Sequence, residues 1–254
     1  MILFTYDKTF EGLLTVVFEA YDRKLFPEAL MESGEPLPLF YEQLVEVVTE
    51  PAKADRVWKG LKKKVSATGL AFLMSCWLSE LPGSDVLLVR YMRKIFDSPG
   101  SIEFNFGDPD VLEISKINKK VANERERVIQ FVRFQKTADE IYFAAVEPLY
   151  NVLSLVVPHF KDRYRGQKWL IYDVRRGYGY YYDLKEVTEV HFGEETHRLI
   201  GGRLSGDLLA EDEKQYQKLW KEYFKSITIR ERLNPKLHRQ HMPPRFWKYM
   251  PEKY

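Results

Sequence analysis

Residues 168–192 read KWLIYDVRRGYGYYYDLKEVTEVHF, and their composition decides the fold class. Tyr, Val, Ile and Trp crowd into two pieces, 168–176 and 177–192, and such side chains suit a pleated, half-buried surface. Upstream, residues 127–137 (RVIQFVRFQKT) and 140–148 (EIYFAAVEP) have the same character, with KTADE as a hairpin connection. A helix is expected between the two pairs, over 149–160. The middle of the chain therefore reads as β-β-α-β-β, an antiparallel sheet with a helix across one face.

Working outward, residues 1–105 look mainly helical. A short apolar strand over 2–5 precedes a helix in which Phe10, Leu13, Leu14, Val17 and Phe18 repeat at helical spacing, with Thr9 as its cap. After the Gly- and Pro-rich SGEPLPLF (33–40), helices are expected over 41–48, 53–66, 69–80 and 84–96. Asp108 and Pro109 make a cap and first position for a helix running to about Arg125. A last helix over 211–225 carries Tyr216, Leu219, Trp220 and Phe224 on its apolar side, and a basic, aromatic tail follows. The expectation is one α+β unit over the whole chain, with subregions 1–105, 106–200 and 201–254 and the helical layer packed on the sheet. Leu70, Leu73, Trp77, Phe131, Phe134, Val152, Leu155, Trp169 and Ile171 are expected in the core.

With 254 residues, 45% of them hydrophobic, the chain has ample material for a core. A net charge of +2 gives no global pull on a polyanion, so any such case rests on local clusters. No apolar run approaches the roughly 18–20 residues that span a bilayer, and the start, MILFTYDKTFEG, lacks a secretory apolar run, which points to the cytosol. The single cysteine, Cys76, excludes an intrachain disulfide and an iron–sulfur cradle, and its apolar neighbours mark it as a small buried hydrophobe. His159, His191, His197, His238 and His241 show no HExxH spacing, so no metal site and no cofactor are expected. Walker, GxGxxG and GxSxG patterns are likewise missing.

Two clusters carry chemistry. The C-terminal stretch interleaves Arg230, Arg232, Lys236, Arg239, Arg245 and Lys248 with His238, Phe246, Trp247 and Tyr249. Cations that neutralise phosphates beside rings that stack on bases are the equipment of single-strand or flipped-base binders. An equally weighted reading makes the aromatics anchors that pin the tail to the core. The second cluster gathers Arg163, Tyr164, Asp173, Arg175, Arg176, Tyr178 and Tyr180. On an extended strand Asp173 and Arg175 share one face, which makes them the candidate catalytic pair, although a plain ion pair on a solvated sheet is the commoner outcome. Asp7 and Glu11, near the start of the first helix, offer paired carboxylates for acid–base work, although the helix dipole by itself favours acidic residues there.

Five segments together resemble one bacterial domain-of-unknown-function family that is labelled with DNA metabolism. They are FTYDKTFEGLLTVVFEAY (4–21), ERVIQFVRFQ (126–135), YFAAVEPLYNVLSLVVPHFKDRY (142–164), WLIYDVRRGYGYYYD (169–183) and RERLNPKLHRQHMPPRFWKYMPE (230–252). The resemblance implies a companion, a DNA modification or repair protein of the radical S-adenosylmethionine class, and some relatives are fused to a uracil-DNA-glycosylase-like domain. This chain lacks the three-cysteine motif of the companion and would be the accessory half. The expected function is a DNA-binding accessory protein that presents DNA, single-stranded or damaged, to a partner enzyme. The alternatives are a nucleic-acid-processing enzyme centred on Asp173 and Arg175, or a protein-interaction module without nucleic-acid binding.

Overall fold

The computed structural model describes residues 1–192, 199–200, 203–204, 208–226, 228 and 233–253. Contacts divide the chain into two compact units, Met1–Ala122 and Asn123–Tyr254.

The first unit is built on a three-stranded parallel sheet, order β2-β1-β3, with β1 (Ile2–Tyr6) in the centre, β2 (Ala29–Glu32) on one side and β3 (Gln43–Glu46) on the other. Central β1 buries Leu3, Phe4, Thr5 and Tyr6 in succession, as a strand covered on both faces requires. Helix α1 (Phe10–Asp22) follows, and Thr9 caps it by accepting from the Gly12 amide at 2.9 Å. Helices α2 (Pro51–Lys64), α3 (Ala67–Leu78) and α4 (Ser84–Asp97) complete the layer. Helix α5 (Pro109–Phe131) starts at Asp108, whose carboxylate accepts from the Asp110 amide at 2.8 Å.

One expectation fails here, and one strand has no signal in the sequence. Residues 41–48 do not form a helix: Val45 and Val47 are buried at a spacing of two, and β3 pairs with β1. Residues 29–32, ALME, carry no strand signal, and it is the pairing of Leu30 with Phe4 that overrides their helical propensity. The helical N-terminal part therefore has a sheet of its own.

The second unit centres on a five-stranded sheet, order β4-β5-β6-β7-β8, with β4 (Gln135–Lys136), β5 (Tyr142–Val146), β6 (Trp169–Asp173), β7 (Tyr178–Tyr182) and β8 (Val187–Val190). It is mixed rather than antiparallel. Helix α6 (Leu153–Arg163) carries the chain across one face, so β5 and β6 run parallel while the other pairs are antiparallel. The strand expected over 127–137 shrinks to β4, because Val121, Val128 and Phe131 are buried at helical spacing and prolong α5 to Phe131. On the other face Tyr172 packs with Phe143, Ala145 and Tyr249. Gly179 lies opposite Tyr172, where a β-carbon would stand 2.5 Å from the Ile171 carbonyl oxygen and 2.8 Å from the Tyr172 ring.

Helix α7 (Glu213–Ser226), helix α8 (Pro235–His241) and two 3-10 helices, Pro244–Tyr249 and Pro251–Lys253, end the chain. Of the expected core, Leu73, Phe131, Val152, Trp169 and Ile171 are buried, while Leu70, Trp77, Phe134 and Leu155 are half-buried. Among the described residues no helix is long and apolar enough to cross a membrane.

Candidate functional site

The carboxyl ends of the parallel strands β5 and β6 gather much of the second cluster. Asp173 closes β6, and the chain then turns through Gly177, at φ +72°, into β7. That turn breaks the strand alternation on which an Asp173–Arg175 pair depends, and the pair is not formed. Arg176 takes the carboxylate instead, at 2.8 Å, and the amides of Arg175 and Arg176 donate to it at 3.0 and 3.2 Å. The Arg175 and Arg176 guanidinium groups also donate to the Leu149 carbonyl, each at 3.3 Å. Asp173 is fully buried; burial pushes its carboxyl up, and Arg176 opposes that rise. Three donors occupy it, so it acts as the clamp of the hairpin. Tyr178 donates to the Asn151 side chain, and its ring meets that of Tyr180 edge-on at 5.8 Å. Burial, then the nearby Glu189, pushes the Tyr180 phenol up to about 12.

The tail folds back on the same unit. Arg245 pairs with Glu124 of α5, which is wholly buried and also accepts from the Leu149 amide at 2.9 Å. Phe246 packs against Phe131 with ring centres 5.4 Å apart. Lys248 pairs with Glu147, and the Tyr249 hydroxyl donates to the same carboxylate at 3.0 Å. Arg133 holds Glu252 at 2.7 Å. The Trp247 indole donates to the Met242 carbonyl at 3.0 Å and lies against His238, with Lys253 over its ring. Arg245, Trp247 and Lys248, expected on a binding surface, are thus spent in fastening the tail. Lys236 and Arg239 face solvent on α8, and His238 is half-buried. Arg230 and Arg232 lie outside the described residues.

A third feature gathers residues of which only Tyr164 is a site candidate in the sequence, Tyr216 and Trp220 reading there as the apolar side of a helix and Phe134 as core. A groove of about 890 Å³ runs along the β4–β5 edge, walled on one side by Phe134, Tyr142 and Tyr164 and on the other by Tyr216, Trp220 and Tyr223 of α7. The α7 residues repeat at helical spacing, which marks them as an apolar stripe. Yet Tyr216 is 61% and Tyr223 54% exposed, so the stripe is open rather than packed. The groove's wall continues into residues 163–168, RYRGQK, where Arg163, Arg165 and Lys168 are exposed and have no carboxylate partner among the described residues. Among those residues there is also no group of three His, Cys, Asp or Glu side chains suited to a metal ion.

The fold and the groove define a mixed α+β protein with an open aromatic cleft on its C-terminal unit. Over residues 82–252 the chain matches the model of a domain-of-unknown-function family, DUF4130, and it belongs to that family. No curated protein matches the chain. Among solved structures it is similar to the pGpG-specific phosphodiesterase PggH of Vibrio, at 11% identity and a TM-score of 0.35, with 89% of this chain and 99% of that chain covered. A likeness of that size carries nothing over about activity.

Proposed function

We propose that the chain is a nucleic-acid-binding accessory protein of DNA metabolism, which presents single-stranded or damaged DNA to a partner modification or repair enzyme. The supporting observation is the loop 163–168, where Arg163, Arg165 and Lys168 project into solvent on either side of groove-lining Tyr164. Unpaired guanidinium and ammonium groups beside an accessible ring suit a phosphate backbone whose bases are exposed. The partner is the radical S-adenosylmethionine protein that the resemblance implies. Contact through this loop differs from contact through the tail, because Arg245 and Lys248 already hold Glu124 and Glu147. The enzymatic alternative on Asp173 gains no support from a carboxylate that is buried and filled.

The test is the salt dependence of binding. Replacing Arg163, Arg165 and Lys168 together by Ala should weaken single-stranded DNA binding and lower the log–log salt slope by about 2, at about 0.7 per phosphate contact. Absence of salt-sensitive binding at low ionic strength, alone or with the companion protein, would overturn the reading.

A further inference from the structure

We infer that the α7 groove is a base-accepting site, which makes the protein selective for unpaired nucleotides over duplex; this rests on the nucleic-acid reading above. Rings dominate the lining, Phe134, Tyr142 and Tyr164 from the sheet side and Tyr216, Trp220 and Tyr223 from α7, with Arg133 over the Trp220 ring at 5.7 Å. The groove's volume, about 890 Å³, falls within the range of small-ligand pockets, roughly 300–1,000 Å³. Its α7 wall is fixed at both ends. At the start, residues 208–210 run along the β4 edge, the Ala210 amide donating to the Lys136 carbonyl at 3.0 Å, and Glu213 accepts from the Lys136 amide at 3.0 Å. Further on, Phe224 lies under Lys253, 4.8 Å from its ammonium. The opening is therefore a built cleft and not a helix adrift.

Charge decides which part of a strand enters. Inside, Arg133 is held by Glu252, Lys136 by Glu140, and Glu213 by the Lys136 amide and Gln217. Among the described lining residues a phosphate finds no unspent cation, while a base finds rings to stack on. At the mouth the balance reverses, since Arg163, Arg165 and Lys168 flank Tyr164 and lack carboxylate partners among the described residues. Bases go in and phosphates stay out. A duplex hides its base faces and cannot meet both demands, whereas a single strand or an extruded nucleotide can.

Three DNA probes test this on the full chain: a short single-stranded oligonucleotide, the matching duplex, and an abasic strand of equal length that keeps the phosphates and lacks the bases. Single-stranded DNA should bind best and quench tryptophan fluorescence. Trp220→Ala should cost roughly five- to a hundredfold in its affinity and leave the salt slope unchanged, with Trp220→Phe restoring most of the loss. Trp220 and Tyr216 are partly exposed, so the variants should melt like the parent, and Tyr216→Ala serves as the second variant should Trp220→Ala not fold. Equal, salt-sensitive affinity for all three probes, unaffected by either variant, would overturn base entry while sparing the nucleic-acid reading. No salt-sensitive binding of any probe would overturn both and leave the groove to a protein partner.

Discussion

Glu124, with no exposed side-chain surface, is paired with Arg245, a residue 121 positions further along the chain. Arg245, the Leu149 amide at 2.9 Å and Arg127 at 3.5 Å surround this buried carboxylate. Removing Arg245 strands that charge in the interior. Arg245→Ala should therefore destabilise the protein by about 3–5 kcal/mol in urea unfolding. A change near zero would mean that the tail does not depend on this pair.

Gly179 faces Tyr172 across the β6–β7 ladder, and a β-carbon there would come within 2.5 Å of the Ile171 backbone oxygen. Backbone cannot swing aside as a side-chain end can. Gly179→Ala should cost about 1–3 kcal/mol in unfolding free energy, the usual scale of overpacking. Gly166→Ala, where nothing lies within 4 Å, is the matched control and should be nearly silent.

Strands β6 and β7 are legible in the sequence because YGYYY and WLIYD combine aromatic and β-branched residues with a turn between them. Strands β2 and β3 are not, since ALME and QLVE acquire strand geometry only by pairing with β1. Residues 127–131 have strand composition, yet Val128 and Phe131 stand in register with Val121 on one helix, a period that the local window obscures. For the site, the basic residues of the tail are plain to read. Their carboxylates are not, because Glu124 and Glu147 lie 121 and 101 positions away. The α7 stripe reads as an apolar side, and only the fold reveals that it stays open.

Acid should weaken the second unit through Glu147. Its hydrogen bond from Lys248, with that of Tyr249, holds the carboxyl below its ordinary 4.5 against the opposing effect of burial. A folded value below the unfolded one gives stability that is present above about pH 4.5 and lost as pH falls through the depressed value. Lys248→Ala should flatten this part of the urea-midpoint profile. An unchanged acid limb would show that the pair contributes nothing. Asp173 has the opposite sign, since burial lifts its carboxyl, so its protonation in acid relieves a cost.

Cys76 is fully buried on α3, and burial, then the Glu113 and Asp85 carboxylates, pushes its thiol up to about 12. The thiolate is the reactive form, and the native protein offers almost none of it. A disulfide-exchanging thiol reagent should modify the protein only as fast as the first unit opens, and rapidly in denaturant. Fast stoichiometric labelling under native conditions would contradict this placement.

Trp247 and Trp220 should separate fastening from binding. Trp247 is half-buried, its indole N–H bonded to the Met242 carbonyl at 3.0 Å, its ring lying against His238 and Lys253 over it. Trp247→Ala should lower stability by roughly 1.5–3 kcal/mol, the scale of a lost apolar side chain, and leave the salt slope of DNA binding intact. Trp220, at 39% exposure on the groove wall, should show the reverse, with affinity lost and melting temperature kept. If Trp247→Ala abolishes DNA binding while melting normally, the tail rather than the groove holds the bases, and the assignment of the two tryptophans must be exchanged.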